Sequence, residues 1–565
     1  MFFLLVHVFF LQKEKNGMII DKTTYRANDI RGIADSQLTD DFCRLTGLAY
    51  VELLRKYRSK EPHELTVVVG KDVRNSGLRM KTAFADALLS RGVHIIDIAP
   101  AEKVSSTPLM YFATWLLDAD GGVEVTGSHL DKEWNGFKLC VGSESTTESH
   151  IRVMLKTAQK LEAAFEAGSL RFTTTDKGEL EEVDVLSDYH AMIAANVVLR
   201  DRWEDLALQA LSGHVTLRVA LATARQELDR LPAGKRKPLT GLKIVYDAGN
   251  GTTGIIAPPI FRDLGAEVIE LYSEPDGNFP HHLPDPTIPR FLKDLHAEVV
   301  RTNAHIGLSS DCDGDRAGAV SPTGKMIIGE QIMALLCKHI LKEHHHATIV
   351  FDTKCSDAIR EIITENGGMP VECKTGFSFI KAKMDAVGAV AGGEMSGHMY
   401  LAKNNRADDA VFAFSELLLL IAGELRSGKD AKVVDVLLAD FLKRYVNTPE
   451  IRIPVVSDEE KERVCDVVEN YYRELAADSP KRYRRRVDEQ GNDIDGVKIE
   501  FVAENGWALI RRSNTSPVII LRMEARTSKG LQKIEEQVIT KFVEFKTVDL
   551  NADEYVRGIM GRVKR

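Results

Sequence analysis

One alternation of apolar and polar residues recurs three times along the chain. In its first copy, apolar residues at Thr66–Val69 precede a polar turn, an amphipathic stretch at Leu78–Ser90, a glycine, and a second apolar run at Val93–Ile98. Strand, turn, helix, glycine and strand in this order is the pattern of a βαβ unit, in which a helix joins two parallel strands. The other copies begin at Leu242–Tyr246 and Thr348–Phe351. The pattern predicts three tandem α/β domains with mixed, largely parallel sheets.

The end of the chain follows a different pattern. Three short apolar runs, Val497–Val502, Trp507–Arg511 and Val518–Glu524, follow one another closely between helical stretches at Asp458–Leu475 and Lys529–Phe545. Strands joined by short turns favour an antiparallel sheet with helices on one face. A C-terminal α+β domain is therefore predicted.

These patterns predict four domains around a central cleft. Their expected ranges are 18–185, 186–325, 326–445 and 446–565. A helical insertion near 199–238 is interpreted as a surface feature, and the basic run at 481–486 as a solvated loop instead of a nucleic-acid patch. Residues 1–17 are expected to be a non-native or disordered extension, because the apolar start is too short to span a bilayer and lacks a signal peptide's basic region and cleavage site.

Composition narrows the function classes. The 565 residues are 44% hydrophobic and 28% charged, as in ordinary soluble proteins, and the net charge of -9 argues against nucleic acid as a partner. The 7 cysteines are scattered without a C-x-x-C pair, so neither a disulfide framework nor a cysteine zinc site is indicated. We expect a cytoplasmic protein with no membrane segment and no nucleic-acid partner.

A serine stands on a turn between two apolar runs, in the sequence V-E-V-T-G-S-H followed by N-G-F-K-L. Ser128 on such a turn can be held exposed by the strands on either side. His129 beside it can carry a proton, and Lys138 returns a positive charge toward the same loop. Taken alone, this stretch is also compatible with an ordinary turn.

Three alternating carboxylates follow another apolar run. Asp311, Asp313 and Asp315 in D-C-D-G-D-R can converge if the loop bends at glycine, and hard cations such as Mg²⁺ or Ca²⁺ prefer such oxygen ligands. The spacing also opens an EF-hand, but Arg316 stands at its sixth position and Pro322 at its twelfth, where glycine and glutamate are needed. Arg316 can instead bind a phosphate in bidentate fashion.

Two further polar segments suit a phosphorylated sugar. Glu394, Ser396 and His398 alternate in G-G-E-M-S-G-H, and in an extended strand they would point one way, toward several hydroxyls. The segment R-R-S-N-T-S-P, which begins at Arg511, offers arginine and small hydroxyls as an anion site. Each segment alone is equally compatible with a polar turn.

A competing motif lies at Gly249–Gly254, where G-N-G-T-T-G matches the G-x-G-x-x-G fingerprint of dinucleotide-binding folds. The motif follows a strand, and Glu267 and Glu270 stand downstream. Against this interpretation, Pro258 and Pro259 would interrupt the helix that the fingerprint requires. A nucleotide-dependent enzyme remains an open alternative at this point.

Together these stretches resemble the α-D-phosphohexomutases, most closely the phosphomannomutase/phosphoglucomutase branch, over nearly the whole chain from Met18 and in the family's order. The resemblance rests on R-A-N-D-I-R-G at Arg26–Gly32, V-T-G-S-H with N-G-F-K, D-G-N-F-P, D-C-D-G-D-R, Lys354, K-T-G-F-S-F-I-K, G-E-M-S-G-H and R-R-S-N-T-S-P. It also implies that the glycine-rich turn at Gly249–Gly254 is structural.

The resemblance implies an isomerase that interconverts hexose 6-phosphate and hexose 1-phosphate through a phosphoserine and a hexose 1,6-bisphosphate, which is both intermediate and activator. The implied catalytic residues are Ser128, His129, Lys138, Arg31 and Arg316. The implied Mg²⁺ ligands are Ser128, Asp311, Asp313 and Asp315. The implied substrate-binding residues are Lys354, Glu394, Ser396, His398, Arg511, Ser513, Asn514 and Thr515. Closing the fourth domain over the sugar would exclude water.

The chain departs from the family's pattern at three places. Leu130-Asp131-Lys132 follows Ser-His where the family usually has Asn-Pro-Pro, Phe377 stands at a common histidine, and Asn28 stands at a common tyrosine. These departures leave open a non-catalytic sugar-phosphate sensor on the same fold. By resemblance to the family, G-E-M-S-G-H implies mannose and glucose phosphates as substrates in preference to glucosamine phosphate. A monomer or homodimer is expected.

Overall fold

The computed structural model describes residues 19–172, 178–513 and 516–563 of the chain. Its elements form three α/β domains with mixed sheets, followed by a domain with an antiparallel sheet, so the predicted fold class is confirmed. The extension expected at residues 1–17 lies outside the described residues, as do Asn514 and Thr515. Within the described ranges, no helix combines the length and apolar composition that crossing a membrane requires.

The first domain contains the first predicted βαβ unit. Its strands are β1 (Ile30–Ile33), β2 (Thr66–Lys71), β3 (His94–Asp97), β4 (Gly121–Val125), β5 (Trp134–Val141), β6 (Glu144–Ser145) and β7 (Leu180–Glu182). Its helices are α1 (Asp40–Arg58), α2 (Gly77–Leu89), α3 (Thr107–Leu116) and α4 (Glu148–Glu166). The sheet order is β1-β5-β4-β2-β3-β7, with β2 parallel to β3 and β4. The β2-α2-β3 unit is therefore confirmed.

Three helices connect the first domain to the second: α5 (Leu186–Leu199), α6 (Asp201–Leu211) and α7 (Leu217–Arg230). The interpretation of residues 199–238 as a surface insertion is wrong. Trp203 in α6 is 0% exposed and belongs to the largest apolar core. In α5, the Tyr189 hydroxyl donates to both carboxylate oxygens of Asp409 at 2.9 Å. The helices are amphipathic because one face packs against the domains that they join.

The second domain carries the carboxylate loop. Its elements are β8 (Lys243–Asp247), α8 (Ala257–Asp263), β9 (Glu267–Leu271), α9 (Lys293–Thr302), β10 (Ile306–Ser310), β11 (Ala317–Val320) and β12 (Met326–Ile327). The sheet order is β12-β11-β10-β8-β9, and β8 runs parallel to β9 and β10. Pro258 and Pro259 do not prevent the predicted helix, because they stand in its first turn, where no intrahelical donor is needed.

The third domain repeats the βαβ unit. Its elements are α10 (Gly329–Glu343), β13 (Thr348–Asp352), α11 (Asp357–Glu365), β14 (Met369–Cys373), α12 (Phe377–Val387), β15 (Ala391–Gly393), β16 (Met399–Leu401), α13 (Ala410–Arg426) and α14 (Val433–Leu442). The sheet order is β14-β13-β15-β16, with β13 parallel to both neighbours. The third predicted unit, β13-α11-β14, is confirmed.

The fourth domain has the predicted antiparallel sheet. Its elements are β17 (Val446–Asn447), β18 (Ile451–Pro454), α15 (Asp458–Asp478), β19 (Tyr483–Val487), β20 (Asp493–Phe501), β21 (Gly506–Arg512), β22 (Val518–Ala525), α16 (Ser528–Phe542) and α17 (Glu554–Val563). The expectation of a solvated loop at 481–486 is wrong, because most of that run lies in β19. Arg486 donates to Asp357 in the third domain at 2.6 and 3.0 Å.

The first three domains share an apolar core, whereas the fourth domain has a core of its own. One continuous cluster contains buried residues of the first three domains and of α5–α7, such as Leu109, Trp203, Ile244 and Leu417. The buried apolar residues of the fourth domain form a cluster of their own, between its sheet and its helices. The first three domains are therefore joined through hydrocarbon, and the fourth meets the third largely through charged side chains.

Candidate active site

Ser128 lies on the turn between β4 and β5. Its backbone is in the left-handed region (φ 51°), which costs a non-glycine residue about 1 kcal/mol or more. The Ser128 N–H donates to the Thr126 hydroxyl at 2.8 Å. The side chain is 5% exposed, and its Oγ donates to Oδ2 of Asp311 at 3.0 Å, across 183 positions of sequence. The turn thus brings the predicted serine to the carboxylate loop.

The three aspartates of D-C-D-G-D-R converge at the end of β10. All three are 0% exposed, and one carboxylate oxygen from each lies within 4.8 Å of the others. The bend is made at Gly314 (φ 78°), and Oδ1 of Asp311 accepts the Asp315 and Arg316 N–H groups at 3.1 Å. Oδ1 of Asp313 and Oδ1 of Asp315 have no hydrogen-bond partner among the described residues. Buried oxygens without a donor fit a hard divalent cation.

Lys138 balances part of this negative charge. Its Nζ lies 2.7 Å from Oδ2 of Asp313 and also contacts Oδ2 of Asp315. Burial alone would lower the pKa of Lys138, but the two carboxylates outweigh it and raise that pKa. Burial likewise favours the neutral form of Asp313, yet Lys138 and Arg31 hold the Asp313 pKa below its usual range. Burial, then Asp315 and Asp313, raise the pKa of Asp311 well above its usual range.

Arg31, His129 and Arg316 surround the serine turn. Arg31, on β1, donates from Nε to Asp29 at 2.9 Å and from its guanidinium to the Thr126 carbonyl. His129 Nδ1 lies 3.3 Å from Ser128 Oγ. Burial, then Arg316 and Arg31, lower the pKa of His129 well below its usual range, so its imidazole is neutral at pH 7.

The segment of Glu394, Ser396 and His398 is not extended, so the expectation that the three side chains point one way from a strand is wrong. Gly397 N–H donates to the Glu394 carbonyl at 3.1 Å, and Gly397 has φ 99°, which makes a tight turn. Glu394 accepts from Tyr400 at 2.6 Å. His398 points elsewhere: its Nε2 accepts from Arg316 Nε at 3.1 Å, which places it beside the carboxylate loop.

The remaining candidates come from the third and fourth domains. Lys354 is 5% exposed, and its Nζ donates to Glu450 of the fourth domain at 2.9 Å. Arg511 is 3% exposed, with Nε 2.8 Å from Oδ2 of Asp495. The Ser513 carbonyl accepts from the buried Lys461 at 3.0 Å. Asn514 and Thr515 lie outside the described residues, so the structure gives no geometry for that part of the loop.

Lys381 and Asp408 were missed as site residues. Lys381 Nζ lies 2.6 Å from Oδ1 of Asp408, and Nδ1 of His398 lies 3.3 Å from the other oxygen of Asp408. Lys381 also donates to Ser145 of the first domain at 2.8 Å. Lys381 stands in the recognised K-T-G-F-S-F-I-K segment, which was a signal, whereas Asp408 in A-D-D-A carries none.

Other protein atoms pack closely against the glycine-rich turn at Gly249–Gly254. A Cβ atom added at Gly254 would lie 2.1 Å from the Ser273 carbonyl, and one at Gly251 would lie 2.9 Å from the Cys312 carbonyl. Gly251 thus lets the turn approach the carboxylate loop closely, and the Thr252 N–H donates to that Cys312 carbonyl at 2.9 Å. This close packing supports the structural role that the resemblance implies.

One departure from the family pattern, Asn28, contacts the residue that follows another, Phe377. Asn28 in the first domain accepts from Ser378 at 2.8 Å, and Ser378 follows Phe377 at the start of α12. The third departure, Leu130-Asp131-Lys132, directly follows the serine turn. Asp131 and Lys132 are exposed, and Leu130 is half-buried.

Comparison with known proteins identifies this arrangement. Models of the phosphoglucomutase/phosphomannomutase α/β/α domains I, II and III match residues 22–164, 226–324 and 328–445, and the model of the C-terminal domain matches residues 451–541. The chain belongs to the phosphoglucomutase/phosphomannomutase family. The predicted family and enzyme class are therefore confirmed, and the chain is a phosphohexomutase enzyme.

Individual family members match over nearly their whole length. Phosphomannomutase/phosphoglucomutase of Pseudomonas aeruginosa strain PAO1 is 32% identical over 514 residues, which cover 90% of this chain and 93% of that protein. Phosphomannomutase of Escherichia coli K12 is 30% identical and covers 92% of this chain and 98% of its own. A solved phosphoglucomutase/phosphomannomutase family protein of Burkholderia thailandensis superposes with a TM-score of 0.71 at 28% identity, covering 92% of this chain and 97% of that one.

Proposed function

We propose that the chain interconverts the 6-phosphates and 1-phosphates of mannose, glucose or both, with Ser128 as the phosphoryl carrier and a hexose 1,6-bisphosphate as intermediate and activator. The names of its relatives support mannose and glucose phosphates as substrates. One observation carries the assignment of the carrier: Ser128 Oγ lies 3.0 Å from Asp311 inside a buried carboxylate trio. A serine on an ordinary surface turn is not expected to contact a group of buried carboxylates.

Mg²⁺ is the proposed cation of this site, with Ser128, Asp311, Asp313 and Asp315 as its protein ligands. The fit rests on the donor set, three buried carboxylates, and on the Oδ1 atoms of Asp313 and Asp315, which have no hydrogen-bond partner among the residues that the structure describes. When bound, a divalent cation offsets the negative charge of a phosphoryl group and polarises its phosphorus. Carboxylate and phosphate oxygens are the ligands that Mg²⁺ prefers over Zn²⁺-type nitrogen and sulfur donors.

Each half-reaction moves one phosphoryl group between Ser128 and a sugar hydroxyl. The bond from phosphorus to Ser128 Oγ breaks as a bond to the hydroxyl oxygen forms, and the hydroxyl proton is taken up by the protein. Arg31, Lys138 and Arg316 are cations that would offset the negative charge of the phosphoryl group during its transfer. His129, whose Nδ1 lies 3.3 Å from Ser128 Oγ, would take or return the proton.

Binding of the sugar and of the phosphate that does not react is assigned to the third and fourth domains. Arg511 supports this role because its guanidinium is buried, and although Nε faces Asp495 at 2.8 Å, one terminal nitrogen lacks a hydrogen-bond acceptor among the described residues. Ser513, Asn514 and Thr515 would complete the phosphate contacts. Glu394 and Ser396 would hold sugar hydroxyls, with Lys354 and His398 beside them; within the described part of the chain, Ser396 Oγ also has no hydrogen-bond partner.

The alternative of a non-catalytic sensor is not favoured. Leu130-Asp131-Lys132, Phe377 and Asn28 motivated it, but the serine, the three aspartates and the surrounding cations remain together in one cluster. The relatives named above are enzymes over the same span. An effect of the three departures on rate or sugar preference remains the expectation.

Intact-mass measurement tests the carrier. We expect wild-type protein incubated with glucose 1,6-bisphosphate and Mg²⁺ to gain the mass of one phosphoryl group, which peptide mapping assigns to Ser128. Ser128→Ala should gain none and should lose turnover by about a thousandfold or more, since a covalent carrier has no substitute. Ser90→Ala, which alters a buried serine that donates to the Ala87 carbonyl at the end of α2, is the control and should behave as wild type.

Chelation and substrate comparison complete the test. EDTA should abolish turnover, and Mg²⁺ should restore it and raise the melting temperature of wild type but not of Asp311→Asn. Turnover should be measured side by side with mannose 1-phosphate, glucose 1-phosphate and glucosamine 1-phosphate, and we expect the first two to be preferred. Retained ligand binding without phosphate on Ser128 would instead support the sensor.

A further inference from the structure

Arg74 is a buried and fully paired charged side chain that the proposed mechanism does not use. It follows β2, and it is 2% exposed. A guanidinium has five N–H groups in one plane, and all five can be accounted for here. Nε donates to Oδ2 of Asp72 at 3.1 Å, and the two terminal nitrogens donate to main-chain carbonyls only.

All of those carbonyls belong to the loop that contains Ser128. One terminal nitrogen of Arg74 donates to the Ser128 and Leu130 carbonyls at 2.7 and 2.6 Å. The other donates to the Asp131 and Trp134 carbonyls at 2.6 and 2.9 Å. A single side chain therefore fixes the loop on both sides of the serine and through the segment where the two family prolines are missing.

Asp72, which is 0% exposed, connects Arg74 and the Ser128 loop to the carboxylate loop. Its Oδ2 accepts from the Gly127 N–H at 3.3 Å and from the Cys312 thiol at 3.5 Å, and Cys312 lies between two of the proposed cation ligands. The Asp72 carboxylate also balances the buried charge of Arg74, which is what a buried guanidinium requires. The pair thus touches both loops whose distance the reaction depends on.

The local backbone needs such support. Ser128 is held at φ 51°, a conformation that a non-glycine residue leaves readily unless its surroundings fix it. Gly127 admits no side chain, because a Cβ atom there would lie 2.4 Å from Arg74 Nε and 2.7 Å from the Trp134 carbonyl. The guanidinium therefore packs directly on the turn that presents Ser128 Oγ.

We propose that Arg74, paired with Asp72, is the positioning residue that holds the Ser128 loop rigid. Lysine cannot do this, since its ammonium offers three donors from one point and cannot span four carbonyls in a plane. The proposal rests on the proposed role of Ser128 as phosphoryl carrier. Arg74 itself has no free donor left for a substrate, so its effect is on geometry.

The test compares Arg74→Lys with Arg79→Lys. Arg79, on α2, also donates to main-chain carbonyls of the first domain, those of Leu38 and Ala34, neither of which belongs to the Ser128 loop. We expect Arg74→Lys to lower kcat and the rate of Ser128 phosphorylation by glucose 1,6-bisphosphate about 10- to 100-fold, the loss expected for a misplaced reacting group. The KM for hexose phosphate should stay within about twofold, because the substrate-binding groups lie in other domains.

A structural readout accompanies the kinetics. Hydrogen exchange at the amides of residues 127–134 should be faster in Arg74→Lys than in wild type and unchanged in Arg79→Lys. Slow exchange in that loop together with wild-type phosphorylation in Arg74→Lys would overturn the inference. If wild type itself is never phosphorylated on Ser128, the proposed function fails instead. Should Arg74→Lys be insoluble, Asp72→Asn, which keeps the volume but removes the balancing charge, must show the same loop exchange and the same kcat loss, or the inference is wrong.

Discussion

Lys138 illustrates, at the scale of a single residue, how the site tolerates three buried carboxylates. Its ammonium contacts Asp313 and Asp315, and Arg31 acts on the same pair from β1. An unpaired buried carboxylate is strongly unfavourable, so the cluster depends on these cations when no metal is bound. The same ammonium would compete with the proposed divalent cation for the aspartate oxygens. We therefore expect Lys138 to raise stability and to lower metal affinity.

The first prediction concerns Lys138→Met. In EDTA, the free energy of unfolding should fall by about 3 to 5 kcal/mol, because two buried carboxylates lose their partner. Mg²⁺ should then raise the melting temperature of Lys138→Met by more than it raises that of wild type, since no ammonium occupies the oxygens. Thermal denaturation with and without Mg²⁺ measures both effects.

Lys81→Met is the matched control. Lys81 is 4% exposed and pairs with Asp97 at 2.6 Å in the first domain, away from the carboxylate trio. It should lose stability similarly, but its response to Mg²⁺ should equal that of wild type. An equal Mg²⁺ response in both variants would refute competition at Asp313 and Asp315.

Part of this site could be predicted from the sequence and part could not. Ser128 on a turn and the alternating carboxylates were visible, because both depend on local spacing around strand ends. Arg74 and Asp408 were not, because each acts on segments far away in sequence and neither stands in a distinctive pattern. The neighbours that position a reactive group are fixed by tertiary contacts, which single-sequence spacing does not record.

At the scale of elements, the three connecting helices α5–α7 determine how the domains are joined. Trp203 in α6 is fully buried, and Arg200 at the start of α6 bonds Glu416 of α13 at 3.0 Å. A helix with such contacts is part of the core, whatever its position between two domains. The connection is thus a set of helices packed into the core, and not a linker.

The second prediction concerns Trp203→Ala. Its free energy of unfolding should fall by about 3 to 5 kcal/mol, the cost of removing a large buried aromatic side chain. Val219→Ala in α7, where the side chain is 53% exposed, should change it by no more than about 0.5 kcal/mol. Urea denaturation of both variants decides the matter. If the two changes are equally small, α6 is a surface addition after all.

Elements with strong periodicity were predictable, and elements whose state depends on neighbours were not. The β2-α2-β3 and β13-α11-β14 units follow from local alternation of apolar residues. Residues 481–486 appeared to be a solvated loop because of their charge, yet Asp357, Glu372 and Glu500 supply the partners that let Arg486 lie half-buried in β19. Charge counts along the chain do not reveal where opposite charges meet.

At the scale of the whole molecule, the contact between the third and fourth domains is an array of ion pairs. Arg522 of β22 pairs with Glu330 at 2.6 Å, and Lys498 of β20 pairs with Glu372 at 2.9 Å. Glu524 of β22 accepts the Asp357 N–H at the start of α11 at 2.9 Å. Burial and then Asp357 raise the pKa of Glu524 to about 7. This carboxyl is therefore neutral in mildly acidic solution while the domains are in contact.

The third prediction concerns how the stability contributed by Glu524 changes with pH, because its pKa is raised in the folded protein. Because the folded pKa of Glu524 is raised, its contribution to stability is fully present below pH 4.5 and is lost as the pH rises through about 7. Glu524→Gln stays neutral and keeps the acceptor for Asp357. The variant should match wild type near pH 4 and exceed its free energy of unfolding by about 3 kcal/mol near pH 8.

Urea denaturation at the two pH values measures this difference. Glu489→Gln, on an exposed turn of the fourth domain, is the control and should follow wild type at both. A gain for Glu524→Gln that is the same at both pH values would exclude proton release as its cause.

The separate core of the fourth domain decides which movement of the protein is easiest. Parting two hydrocarbon faces exposes both to water, whereas paired charges regain hydration when they part, so the least costly opening lies between the third and fourth domains. Ser128 and Asp311 are both carried by the domains that share one core. In the proposed mechanism, a bisphosphate would then turn around or exchange with solution while the distance between these two side chains stays unchanged.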